Sequence, residues 1–153
     1  MPPPIKTLIS GGQTGVDRAA LDAAQATGIP VAGWCPRGRR AEDGEVPARY
    51  PLHETPSGAY AERTAWNVRD GEATLILHAG AVEGGTAFTA EEARRLGRPL
   101  LMVDLREGPV ETVRVWLAEH AVTVLNVAGP RESEAPGIYM QARRFMERLL
   151  ARA

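Results

Sequence analysis

Five short runs of the chain are apolar nearly throughout: Ile5–Ser10, Pro30–Trp34, Ala73–His78, Pro99–Asp104 and Val122–Val127. Strands open to water on one face alternate in polarity, so continuous runs of this length predict strands covered on both faces. Between and after them lie stretches with helical periodicity, at Gly15–Thr27, Ala59–Val68, Thr89–Leu96, Val110–His120 and Pro136–Arg152. Gly28 and Gly97 stand where helix C-caps belong, and each leads into the next strand. Strict alternation of strand and helix predicts an α/β fold with a doubly wound, mostly parallel sheet of about five strands and helices on both faces. One domain across residues 1–153 suffices. Cys35–Gly58 is the one long irregular piece, and such a loop in a compact domain is usually functional or mobile.

The totals narrow the class. Apolar residues make up 44% and charged residues 24%, with a formal net charge of −1. No global field draws the chain to nucleic acid or an anionic membrane, so any anion site must be local. Cys35 is the only cysteine, which excludes an internal disulfide and argues against a thiolate metal cluster. His53, His78 and His120 show no metal-ligand spacing, and no metal is expected. No apolar run approaches the roughly 18 residues of a membrane helix. "MPPPIK" lacks a signal-peptide core, and a cytoplasmic location is expected.

Candidate chemistry gathers after the strands. The five following segments are "GGQTG", "CPRGRRAEDG", "HAGAVEGGTAFT", "DLREG" and "AGPRES". All carry glycine with an arginine or a hydroxyl residue, whereas plain turns precede the strands. In open α/β sheets, ligands bind outside the carboxyl ends of the strands. Helix N-termini expose unpaired N–H groups, and glycine lets a phosphate approach them. The candidate ligand-binding residues are therefore Gly11, Gly12, Gln13, Thr14, Gly15 and Asp17 in the first loop, and Gly84, Gly85, Thr86 and Thr89 in the third. Arg37, Arg40, Arg131 and Ser133 add charge or a hydroxyl, with Arg39 beside them.

Plainer roles compete with these. Thr14 with Asp17, and Thr89 with Glu92, fit capping boxes. The arginines of "PRGRR" can pair with Glu42, Asp43 and Glu45 in a solvated loop. Cys35 reads as a packed thiol, and Trp66 and Trp116 as core. Alanine at Gly12 and Gly85 separates cradle from turn. If both glycines serve ligand approach, substitution leaves the thermal midpoint nearly intact and abolishes ligand protection.

The segments "SGGQTGVDRAALDAA", "GWCPRGRRAEDGEVPARYPLHE", "RTAWNVRDGEATLIL", "GGTAFTAEEARRLGRP" and "NVAGPRESEAPGIY" together resemble the molybdenum cofactor carrier family. That family is a circularly permuted branch of a Rossmann-like superfamily that includes the lonely-guy phosphoribohydrolases and the DNA-processing protein A group. The resemblance implies a Rossmann-like domain that binds a phosphate-bearing small molecule, either molybdenum cofactor or a nucleotide, and requires no other cofactor. It also implies a homo-oligomer. Lonely-guy enzymes carry an arginine on a helix, then a strand, then a glycine-rich T-x-x-E motif. On that likeness the alternative is cleavage of a nucleoside 5′-monophosphate, with Arg63 orienting the ligand and Glu92 activating water or stabilising the developing ribosyl cation. A third reading is a protein that senses a nucleotide and passes the signal to a partner.

Overall fold

The computed structural model describes residues 5–151, so the first four residues and the expected helix end at Arg152 lie outside it. Along the chain run β1 (Thr7–Ile9), α1 (Val16–Ala26), β2 (Val31–Ala32), β3 (Trp34–Cys35), β4 (Arg40–Ala41), β5 (Gly44–Glu45), β6 (His53–Glu54), α2 (Tyr60–Asp70), β7 (Ala73–His78), α3 (Gly84–Arg95), β8 (Leu100–Asp104), α4 (Val110–Glu119), β9 (Val124–Ala128) and α5 (Ile138–Leu150). The central sheet has five strands in the order β2-β1-β9-β7-β8, and every neighbouring pair is parallel. The five apolar runs of the sequence are these five strands.

Right-handed crossovers fix the layers. Steps leftward in that order, β1 to β2 and β8 to β9, place α1 and α4 on one face. Rightward steps, β2 to β7 and β7 to β8, place α2 and α3 on the other. The packing agrees: α5 lies against both α1 and α4, and α2 against α3. Leu8, Leu75, Leu77, Leu125 and Val127 join the main core with Leu21, Val113 and Met146, all fully buried. The opposite sheet face carries polar residues. There Asn126 of β9 sits level with Thr74 of β7 and donates from Nδ2 to its Oγ1 at 3.2 Å.

The loop expected over Cys35–Gly58 holds two small sheets, β3 with β6 and β4 with β5. A single side chain organises its second half. Arg39 donates to the backbone carbonyls of Val46, Pro47, Tyr50 and Leu52 at 2.9–3.1 Å. Arg39 is therefore a fastener of this loop, which its place in a run of charge did not foretell.

Candidate functional site

A cavity of about 270 Å³ opens at the carboxyl edge of the sheet, between the loops after β1, β7 and β9 and the start of α2. Of the candidates read from the sequence, Gly11, Gln13, Asp17, Arg63, Gly84, Gly85, Thr86, Thr89 and Arg131 line it. Gly12, Thr14, Gly15, Arg37, Arg40, Glu92 and Ser133 do not.

The first glycine loop turns inward on itself. The Gly12 N–H donates to Ser10 Oγ, Gln13 N–H to Asp17 Oδ2, Thr14 N–H to Gln13 Oε1 and Val16 N–H to the Pro130 carbonyl. Its glycines answer to packing. Gly12 has φ +77°, and a Cβ there would stand 2.8 Å from Leu52 Cδ1. Gly15 has φ +79°, and a Cβ would meet Pro130 O and stand 2.8 Å from the Glu132 N. The helix start that looked most like a phosphate cradle is thus closed by the loop after β9. Thr14 does not cap α1 either; its hydroxyl donates to Glu42 at 2.8 Å and accepts the Glu132 N–H. Ser133 Oγ donates to the same Glu42 carboxylate at 2.7 Å, so both hydroxyls serve to join loops at the rim.

The second glycine loop is open. Helix α3 begins at Gly84, five residues before the expected start at Thr89, and no side chain caps it. Thr86 and Ala87 turn their N–H groups to the Glu83 carbonyl, and those of Gly84 and Gly85 have no partner among the described residues. A Cβ on Gly85 would meet nothing within 4 Å, and one on Gly84 only Glu134 Oε2 at 3.7 Å. Thr89, inside the helix, bonds back to the Gly85 carbonyl at 2.8 Å. Glu92 is held by Arg95 at 2.8 and 3.1 Å, which keeps its carboxyl group below the usual range. These two residues form no capping box.

Arg63 faces this helix start from α2. It is 8% exposed, yet it forms no ion pair among the described residues. Its Nη1 donates to the Gly11 carbonyl at 2.9 Å and its Nε to Thr64 Oγ1 at 3.2 Å. Nη2 has no protein partner among the described residues. Arg131 is shared between Glu42 at 3.7 Å and Glu134 at 3.4 Å. Arg40 lies over the Tyr60 ring, 4.5 Å from its centroid, and donates to the Gly58 carbonyl. Arg37 is exposed.

Asp17 is the buried acid of the cavity. Burial raises its carboxyl group to about 6, against the opposing pull of Arg63, the Gln13 N–H and Arg18. The sequence reading did not single out Asn67, Phe88, Asn126 or Glu134 for the site, although all line the cavity. Asn126 had a visible signal, being the one polar residue of "VLNVA". Asn67 had none, because its amide bonds both backbone groups of Trp34, 33 residues away.

A family model described as circularly permutated YpsA SLOG matches residues 8–150. A crystal structure of a protein from Syntrophus aciditrophicus SB, named "Putative molybdenum carrier protein", superposes with a TM-score of 0.95. It is 43% identical, over 99% of this chain and 98% of that one. No curated protein matches the chain. The chain belongs to the circularly permuted YpsA SLOG family.

Proposed function

We propose that this member of the family binds a phosphate-bearing small molecule, a nucleotide or a pterin of the molybdenum-cofactor kind, at the carboxyl edge of its sheet. One observation carries the reading. An uncapped helix start with two glycine N–H groups that find no partner among the described residues shares a cavity with a buried arginine that forms no direct ion pair there and feels the Asp17 carboxyl only at longer range. Unpaired N–H groups and the helix dipole favour an anion, and a desolvated guanidinium adds a charge-assisted contact. The phosphate group fits there, while the first glycine loop serves as a wall. The name of the Syntrophus protein supports the pterin form of the ligand. Cleavage of the ligand finds no support in Glu92, which is paired with Arg95 outside the cavity.

The test is a melting scan with inorganic phosphate, a nucleoside monophosphate and a pterin phosphate. A ligand of the folded state alone stabilises by RT ln(1 + [L]/Kd). Arg63→Met keeps the bulk of the side chain and removes the charge. It is expected to weaken phosphate-dependent protection by about ten- to a hundredfold in affinity. Absence of a shift with all three ligands in the unsubstituted protein would sink the reading.

A further inference from the structure

Glu134, in the loop after β9, lines the same cavity as Arg63, Gly84 and Gly85. Its Oε1 accepts the Arg131 N–H at 3.2 Å and lies 3.4 Å from Arg131 Nε. Its Oε2 accepts no hydrogen bond among the described residues. That oxygen stands 3.7 Å from where a Cβ on Gly84 would be. It is therefore a close neighbour of the uncovered N–H groups at the α3 start. Arg63 is more than nine-tenths buried and has no partner for Nη2. Among the described residues no fully buried side-chain oxygen or nitrogen lacks a partner, so Nη2 opens onto the cavity that Arg63 lines. Donors from α3 and α2 thus share the cavity with a bare carboxylate oxygen. Asp17, whose carboxyl group feels Arg63, is a second acid on its walls. An ionised carboxylate accepts hydrogen bonds and donates none. It repels an oxyanion that has no proton, and it takes a short O–H···O⁻ bond from one that has.

Resting on the reading that a phosphate-bearing molecule occupies this cavity, we infer that Glu134 makes the site selective for an oxyanion that carries a proton: a phosphomonoester, in preference to a phosphodiester or sulfate. A phosphomonoester loses its second proton at about pH 6, so its singly protonated form is within reach near neutrality. A diester and sulfate have no proton to offer there. In the favoured complex Oε2 accepts the P–O–H, while the other phosphate oxygens take the Gly84 and Gly85 N–H groups and Arg63 Nη2. With sulfate or a diester a lone pair faces Oε2 instead. A site built to accept from a donor rejects the analogue without it, because its own acceptor is left unpaired, and here that acceptor is charged. The loop does not call for this second oxygen, because an amide oxygen at the place of Oε1 would accept the Arg131 N–H as well. The selected phosphate is terminal: it ends the ligand and does not link two parts of it.

Titration calorimetry at about pH 6 tests the inference, with inorganic phosphate against sulfate, and with guanosine 5′-monophosphate and neopterin phosphate each against its methyl ester. The unsubstituted protein is expected to bind inorganic phosphate at least about tenfold more tightly than sulfate, and its preferred monoester at least about tenfold more tightly than the matching diester. The tighter of the two monoesters identifies the source of the phosphate. Glu134→Gln keeps an oxygen for the Arg131 N–H and puts an amide nitrogen, a donor, in place of Oε2. The variant is expected to gain about tenfold in affinity for sulfate and the diester and none for phosphate and the monoester, so that the preference disappears. Simple relief of repulsion would raise all of them alike and keep the preference, and a kept preference would overturn the inference. Equal binding of phosphate and sulfate by the unsubstituted protein would overturn it as well. In both cases the phosphate reading stands. Binding of none of the compounds would overturn both.

Discussion

A carboxyl group that titrates near 6 inside a folded chain costs stability at neutral pH. Asp17 has an ordinary value of 3.8 and is raised by burial to about 6. Between those values the folded chain binds more protons than the unfolded one. The stability this group contributes is therefore full below about 3.8, falls as pH rises through about 6, and stays low above it. Asp17→Asn removes the charge and keeps an acceptor for the Gln13 N–H. It is expected to be more stable than the unsubstituted protein at neutral pH by up to about 3 kcal/mol, the gain fading toward about pH 4. Denaturant melts of both proteins across that range check the sign, and a less stable variant at neutral pH would contradict it. The sequence placed Asp17 at the site through its position in the first turn of α1. It could not show the burial, which comes from loops distant in the chain. Asn126 was visible as the one polar residue of its strand and was passed over, because one polar residue does not break the apolar run that identifies a strand.

The helices show where periodicity informs and where it misleads. Helices α1, α2 and α4 begin within one residue of their expected starts, because their buried faces recur at helical spacing. Helix α3 was expected to begin at Thr89, since Thr89 with Glu92 fits a capping box. Glycine at a helix start sacrifices propensity and leaves N–H groups uncovered, and that departure from local preference coincides with the cavity. The two glycine loops consequently predict opposite behaviour. Gly85→Ala meets open space, so the free protein should gain up to about 1 kcal/mol from helix propensity while losing phosphate protection. Gly12→Ala meets Leu52 and Val46 at positive φ and should lose about 1–3 kcal/mol without any ligand. Melting scans of the two variants with and without phosphate read both effects. The loop before α2 depends on Arg39, whose guanidinium ties four carbonyls. Arg39→Ala should cost at least about 2 kcal/mol in denaturant unfolding, and an unchanged midpoint would mean that the carbonyls find other partners. Nothing in "PRGRRAED" distinguished this arginine from its neighbours, because its acceptors are backbone groups brought round by the fold.

At the scale of the molecule, strand number and direction were legible in the sequence, and strand order was not. Alternating elements dictate a parallel sheet, but only contacts between distant residues decide that β9, last in the chain, lies between β1 and β7. The cavity depends on that insertion. Glu42 binds Thr14, 28 residues before it, and Ser133, 91 residues after it, so the rim closes only when both ends of the chain are in place. A fragment ending at residue 121 lacks β9 and α5, and we expect it to show no cooperative unfolding transition. A sharp calorimetric melt of that fragment would contradict the central role given to the last strand. The same topology imposes an order on synthesis. A ribosome delivers the N-terminal part first, so β1 with β2, and β7 with β8, emerge as two half-sheets with an empty slot between them. Each presents an unpaired strand edge until β9 has cleared the exit tunnel, and for that interval the nascent chain is a target for chaperones and for aggregation.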